Sequence, residues 1–146
     1  MTLQDILHVK GSIVHTIAAG ATLDDVVQSL VQHNCGSLVV VDPAETTRPR
    51  MVGIITERDI LRACAARKAP LDQLLVADMM TKDVITGGLR DSIDQVMNVM
   101  TERRVRHLPV MADGKLLGIV SIGDVVKARQ RQTEFENHYL KSYIQS

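Results

Sequence analysis

Gly53-Ile54-Ile55-Thr56-Glu57-Arg58-Asp59 returns later in the chain as Gly118-Ile119-Val120-Ser121-Ile122-Gly123-Asp124. Both runs read glycine, two apolar residues, a hydroxyl residue, two variable residues and aspartate. A repeat of this kind decides the architecture first, because each copy is expected to be one structural unit. The copying reaches well beyond the heptad. Thr22-Leu23-Asp24-Asp25-Val26-Val27 aligns without gaps on Ser92-Ile93-Asp94-Gln95-Val96-Met97, and Leu38-Val39-Val40 on Leu108-Pro109-Val110. Between Val41 and Gly53 the first copy carries the extra stretch Asp42 to Arg50 where the second has Ala112 to Lys115, which predicts a polar hairpin loop in the first copy. The chain therefore reads as a pseudo-twofold pair, divided into residues 1–70 and 71–146.

Within each copy the same signals follow in order. A short extended segment, Ser12 to Thr16 or Asp83 to Thr86, precedes a helix whose N-cap is Thr22 or Ser92, with Asp25 or Gln95 three residues on to complete a capping box. Leu23, Val26, Val27 and Leu30, like Ile93, Val96, Met97 and Met100, recur at helical spacing and form the expected buried stripe. Two strands come next, Leu38–Val41 with Met51–Ile55 and Leu108–Met111 with Leu116–Val120, the second pair joined by an Asp113-Gly114 turn. A second helix closes each copy, from about Glu57 to Arg67 and from about Ile122 towards Ile144. Asp5-Ile6-Leu7 and Asp78-Met79-Met80 read as matching lead-in helices, and residues 68–75 as a brief linker. The fold class is mixed α/β, of the α+β kind, built from β-α-β-β-α units with an extended C-terminal helix.

Composition narrows the function. With 146 residues, each half alone lies near the size at which a core is marginal, so the halves need each other. Seventeen basic residues balance seventeen acidic ones, which argues against nucleic acid as a partner and makes any anion site local. No run is apolar enough to span a bilayer and no secretory signal is present, so the expected location is cytoplasmic. Cys35 and Cys64 lack metal-ligand spacing and read as reduced packing thiols. Tryptophan is absent and phenylalanine occurs once, which leaves Val, Ile, Leu, Ala and Met to build the core.

The β-α-β-β-α order, twice, resembles the CBS domain, and the two copies together resemble a CBS pair, or Bateman module. The run Met100 to Val110 and the closing Gly118 to Asp124 are similar to stand-alone bacterial two-CBS proteins. Taken by themselves, Thr56 and Ser121 can be N-caps and Asp59 and Asp124 first-turn acids facing the helix dipole. They can equally present a hydroxyl and a carboxylate on one side of the helix, and a carboxylate can accept both hydroxyls of a ribose while a helix N-terminus favours phosphate. The resemblance implies the second reading. On it the repeats pack through their sheets, and Asp59 and Asp124 hold the ribose of an adenine nucleotide, AMP, ADP, ATP or NAD(H), between the repeats. Thr56 and Ser121 then lie near ribose or phosphate, and the base sits in an apolar slot beside Val14 to Thr16 and Val84 to Thr86.

Phosphate needs positive charge, and the second copy alone supplies it, as Arg103, Arg104, Arg106 and His107 where the first has His33, Asn34, Gly36 and Ser37. The resemblance directs Arg106 and His107 to the nucleotide held by the opposite repeat's Asp59, which leaves Asp124 facing Gly36 and Ser37. Arg58 could reach a phosphate or pair on the surface. His8, His15 and His138 have no identifiable partner, and His33 near Cys35 lacks the third group of a nucleophilic relay. Without a metal cluster or a glycine-rich phosphate loop either, the chain is not expected to be an enzyme. In the tail, Phe135, Tyr139, Leu140, Tyr143 and Ile144 make an amphipathic stripe that packs on its own domain or, as favoured here, forms a homodimer contact. The leading expectation is thus a non-catalytic regulatory module that binds adenine nucleotides and reports to a protein partner the sequence does not name. The rival is a structural or interaction scaffold whose motifs are architectural and whose tail recruits a partner.

Overall fold

The computed structural model describes residues 1–42 and 50–145 and separates them into two compact units, Val14–Val84 and Met1–Ile13 with Ile85–Ser146. The hairpin loop expected in the first copy lies at residues 43–49, outside the described residues.

In the first unit β1 (Thr16–Ala18) runs parallel to β2 (Ser37–Asp42), which pairs antiparallel with β3 (Arg50–Thr56). Helix α2 (Leu23–His33) follows β1 and α3 (Glu57–Ala66) follows β3. Thr22 caps α2 through the expected capping box with Asp25, and the helix ends at Asn34 in the left-handed region, φ 49°. Leu23, Val26 and Leu30 drive one face of α2 into a core shared with Leu38, Val40, Ile55 and Ala63. The second unit repeats this plan with α5 (Ile93–Arg103), capped by Ser92 and Gln95, then the hairpin β4 (His107–Ala112) and β5 (Lys115–Ser121), then α6 (Ile122–Gln145). Its core is built from the matching positions Ile93, Val96, Met100, Leu108, Val110, Val120 and Ala128. Even the irregularities match, since the register slips at Val40/Val41 in one hairpin and at Val110/Met111 in the other.

Two expectations are corrected. The first is the division at residue 70. Helix α1 (Leu3–Lys10) packs not with the repeat that follows it but with the second one, where Leu3 and Ile6 are buried and Leu3 N–H donates to the Asp91 carbonyl at 3.0 Å. Conversely, the short helix α4 (Val76–Met79) belongs to the first unit, where Val76 is fully buried and donates its N–H to the Ala21 carbonyl at 2.9 Å. Each lead-in helix thus completes the core of the other repeat. The glycine that opens each heptad marks the contact: a Cβ on Gly118 would stand 2.7 Å from Leu7 Cδ2, and one on Gly53 would stand 2.7 Å from Met80 Sδ.

The second correction concerns the opening strand. In the first copy it begins at Thr16, where the predicted segment ends. In the second, Asp83 to Thr86 forms no strand, and only the bridge Gly87↔Val110 survives, the counterpart of Ile17↔Val40. The cause is one residue. Val39 donates its N–H to the His15 carbonyl at 3.1 Å, and the position that matches Val39 is Pro109, which has no N–H to give.

Candidate functional site

Each heptad is a strand that turns directly into a helix. Thr56 ends β3 and caps α3 in extended geometry, φ −125° and ψ 167°. Its N–H donates to Asp59 Oδ2 at 2.9 Å and its hydroxyl to the same oxygen at 3.2 Å, while Asp59 N–H returns a bond to Thr56 Oγ1 at 3.4 Å. Ser121 and Asp124 repeat the exchange, with Ser121 N–H to Asp124 Oδ2 at 2.8 Å and Asp124 N–H to Ser121 Oγ at 3.2 Å. The capping role weighed from the sequence is therefore real at both junctions, and such a cap stabilises by about 1 kcal/mol. It does not exhaust the carboxylates. In both residues the bonds fall on Oδ2, and Oδ1 has no hydrogen-bond partner among the described residues. Asp59 is otherwise well buried, at 7% exposure.

At one junction a cation has been added. Lys10, the last residue of α1, donates from Nζ to Asp124 Oδ2 at 2.6 Å and to the Ile119 carbonyl at 2.7 Å. Burial would push the Asp124 carboxyl up, but the Lys10 hydrogen bond and charge, with the Ser121 N–H and hydroxyl, hold it below the ordinary aspartate value. Lys10 thus adds at Asp124 a charged donor that Asp59 lacks among the described residues. The sequence reading missed it. Its signal was the match of the two lead-in helices, which carries Leu7 onto Met80 and therefore Lys10 onto Asp83, an acid. That signal becomes informative only once α1 is known to pack against the second repeat.

The other candidates sort by unit. Ser37 is buried and pairs across the hairpin with Thr56, as His107 pairs with Ser121. Arg106 is exposed, and its carbonyl accepts the first N–H of α6, from Ile122, at 2.8 Å. Arg58 is exposed on the first turn of α3. Val14 and Val84 are half-buried outside the sheets, and Thr16 is exposed at the start of β1. Thr86 is exposed and lines a cleft of about 450 Å³ with Gly87, Asp91, Gln95, Val96, Asn98, Val99 and Leu108, a lining that includes neither Ser121 nor Asp124.

Three further expectations are settled. His15 is not without a partner: it stacks on His33 with ring centroids 3.9 Å apart and planes 15° from parallel. Both thiols are free, but only Cys35 packs against a core, since Cys64 is exposed on α3. The tail stripe does not pack on its own unit, because Phe135, Tyr139, Leu140, Tyr143 and Ile144 are all 55–80% exposed. Among the described residues no group of three or more His, Cys, Asp or Glu could hold a metal, and no helix is long and apolar enough to cross a membrane.

Comparison with known proteins agrees with this organisation. The CBS domain family matches residues 9–66 and 76–131. A mitochondrial CBS domain-containing protein of Arabidopsis thaliana is 38% identical over 99% of this chain and 72% of its own length. The crystal structure of a CBS-domain containing protein from Agrobacterium tumefaciens superposes with a TM-score of 0.82, at 39% identity, over 88% of this chain and 99% of that one. A CBS domain protein from Pyrobaculum aerophilum, solved in complex with AMP, gives a TM-score of 0.73 at 27% identity over 85% of this chain and 89% of that one. Two copies of one strand–turn–helix heptad, each completed by the other's lead-in helix and each matched by the same family, make this chain a member of the CBS domain family, with two CBS domains in tandem.

Proposed function

We propose that this CBS pair is a regulatory module that binds an adenine nucleotide, AMP, ADP, ATP or NAD(H), through the ribose, and carries no catalytic chemistry of its own. The observation that carries the reading is the uncommitted Oδ1 of the motif aspartates, each fixed at a helix N-terminus by a capping box that spends only Oδ2. A ribose diol needs an acceptor held at a fixed place, and the N-terminal N–H groups beside it favour a phosphate. Asp59 and Asp124 are the ribose acceptors in this proposal, and Thr56 and Ser121 lie at ribose or phosphate. Arg106, His107 and Arg58 supply phosphate charge, Ser37 lines the site next to Thr56, and Val14, Thr16, Val84 and Thr86 flank the base. The AMP complex of the Pyrobaculum relative supports the ligand class.

The same proposal assigns the exposed stripe of α6 to a homodimer contact. Five large apolar side chains on one terminal helix offer what an interface core needs and a solvated surface does not. A thermal-shift panel of AMP, ADP, ATP, NAD and adenosine tests the nucleotide reading. A ligand at a hundredfold excess over its dissociation constant stabilises by about 2.7 kcal/mol. A flat response across the panel would reject the reading and favour a scaffold.

A further inference from the structure

The two heptads match in sequence and in capping geometry but differ in what stands on the carboxylate. Among the described residues, Asp59 Oδ2 accepts only from Thr56, its own cap. Asp124 Oδ2 accepts from Ser121 and from the ammonium of Lys10, 2.6 Å away, and that ammonium is tied at the same time to the Ile119 carbonyl, the residue two before Ser121. Lys10 is thus anchored at both ends of the turn that the ligand would have to approach. Its side chain is about one-third exposed and that of Asp124 about one-fifth, so the pair is partly withdrawn from water, where a charge-assisted bond is strong. In the sequence match of the two lead-in segments Lys10 falls on Asp83, an acid, which has no ammonium to donate.

We infer that Lys10 determines which of the two motifs takes the ribose: it closes the Asp124 motif and leaves the Asp59 motif open. The inference rests on the nucleotide reading above and deepens it. A ribose hydroxyl is a neutral donor. Asp124 keeps its Oδ1, but a hydroxyl that uses it must share a carboxylate whose charge Lys10 already neutralises, and one that needs Oδ2 must displace a charged donor whose hydrogen bond is roughly twice as strong as its own. Among the described residues no cation is hydrogen-bonded to Asp59, so the same hydroxyl meets an acceptor without that competitor. The lead-in helix therefore does more than complete the second core. Its last residue turns a symmetric pair of motifs into one open and one closed motif.

The test is the stoichiometry of AMP binding by titration calorimetry, on the full chain. Wild type should bind one AMP per chain. Lys10→Met, which keeps the aliphatic length, should bind two, and Lys10→Arg, which keeps the cation, should bind one. Asp59→Asn should abolish the wild-type site. Two AMP per wild-type chain would overturn the role of Lys10 while leaving the nucleotide reading intact. So would a Lys10→Met protein that circular dichroism shows folded and that still binds one. No heat from AMP with any of the proteins would refute the nucleotide reading itself, and this inference with it.

Discussion

Replacing Lys10 and Asp124 singly and together, as Lys10→Met, Asp124→Asn and the double variant, measures how far the second repeat depends on the lead-in helix through one charge contact. The pair is neither exposed nor buried, at 34% and 21% side-chain exposure, and its N···O distance is 2.6 Å. Exposed pairs contribute about 0.2–1 kcal/mol, and breaking a fully buried pair costs about 3–5 kcal/mol. A coupling energy of about 1–2 kcal/mol is expected between those limits. Urea denaturation at pH 7 reads it, as a midpoint shift of roughly 0.5–1 M at an ordinary denaturant slope of about 2 kcal/mol per M. Asparagine keeps an oxygen for the Ser121 N–H, so the cycle removes the ion pair and not the cap. The pH dependence has a definite sign. Because the folded-state pKa of Asp124 lies below its unfolded value, the contribution is present in full above about pH 4, and it is lost as pH falls through the lowered folded value. Raising salt to about 1 M should shrink the coupling. Additive single variants, within about 0.3 kcal/mol, would refute the reasoning. So would a coupling that already fades between pH 7 and pH 5, where aspartate does not titrate.

Three other outcomes follow from the geometry. Gly53→Ala should destabilise more than Gly118→Ala, about 2–3 against about 1–2 kcal/mol by thermal unfolding, because its Cβ would meet the Thr81 backbone oxygen at 2.8 Å as well as Met80, whereas at Gly118 only the Leu7 side chain has to give; equal costs would count against the packing described. Truncation after Arg131 removes Phe135 to Ile144 but keeps the buried Val125 and Ala128, so light scattering should show a dimer reduced to monomer while circular dichroism shows the fold retained. A monomeric intact chain at micromolar concentration would reject the dimer. Asp59→Asn should lose AMP in calorimetry at a stability cost below about 1 kcal/mol, and unchanged affinity would reject the ribose assignment.

The capped helices and the two hairpins were legible because their signals are local: a hydroxyl residue before an apolar stripe, an acid or amide three residues on, a turn between β-branched runs. Thr22, Ser92, Thr56 and Ser121 all cap the helices expected of them, the first two in the boxes expected and the last two in boxes with Asp59 and Asp124 where only first-turn acids were expected. What escaped depends on chain segments meeting from afar. Asp5-Ile6-Leu7 announces a helix but not its destination, and the destination decides that Leu3 is core for the second repeat and that Lys10 reaches Asp124 across the sequence.

Pro109 shows how one residue within a faithful repeat can alter the unit around it. Its alignment with Val39 was plain, and it sits in β4 with no N–H to offer. Val39 uses that N–H to hold His15 and so extend β1 along β2; without it the second unit keeps only the bonds from Gly87 to Pro109 O and from Met111 to Gly87 O. The segment that carries Val84 and Thr86 is therefore tied at one residue where its counterpart is tied along a strand. If the two segments flank a base as proposed, the second is the less fixed of the two, and on the same unit Lys10 stands on the ribose acceptor. Both departures from symmetry fall on the second motif and point the same way, to the first unit's Thr56 and Asp59 as the better-formed site. Pro109→Val offers a direct check: the new amide should gain hydrogen-exchange protection by bonding the Ile85 carbonyl, and an amide that exchanges freely would show that something other than the missing donor keeps the strand apart.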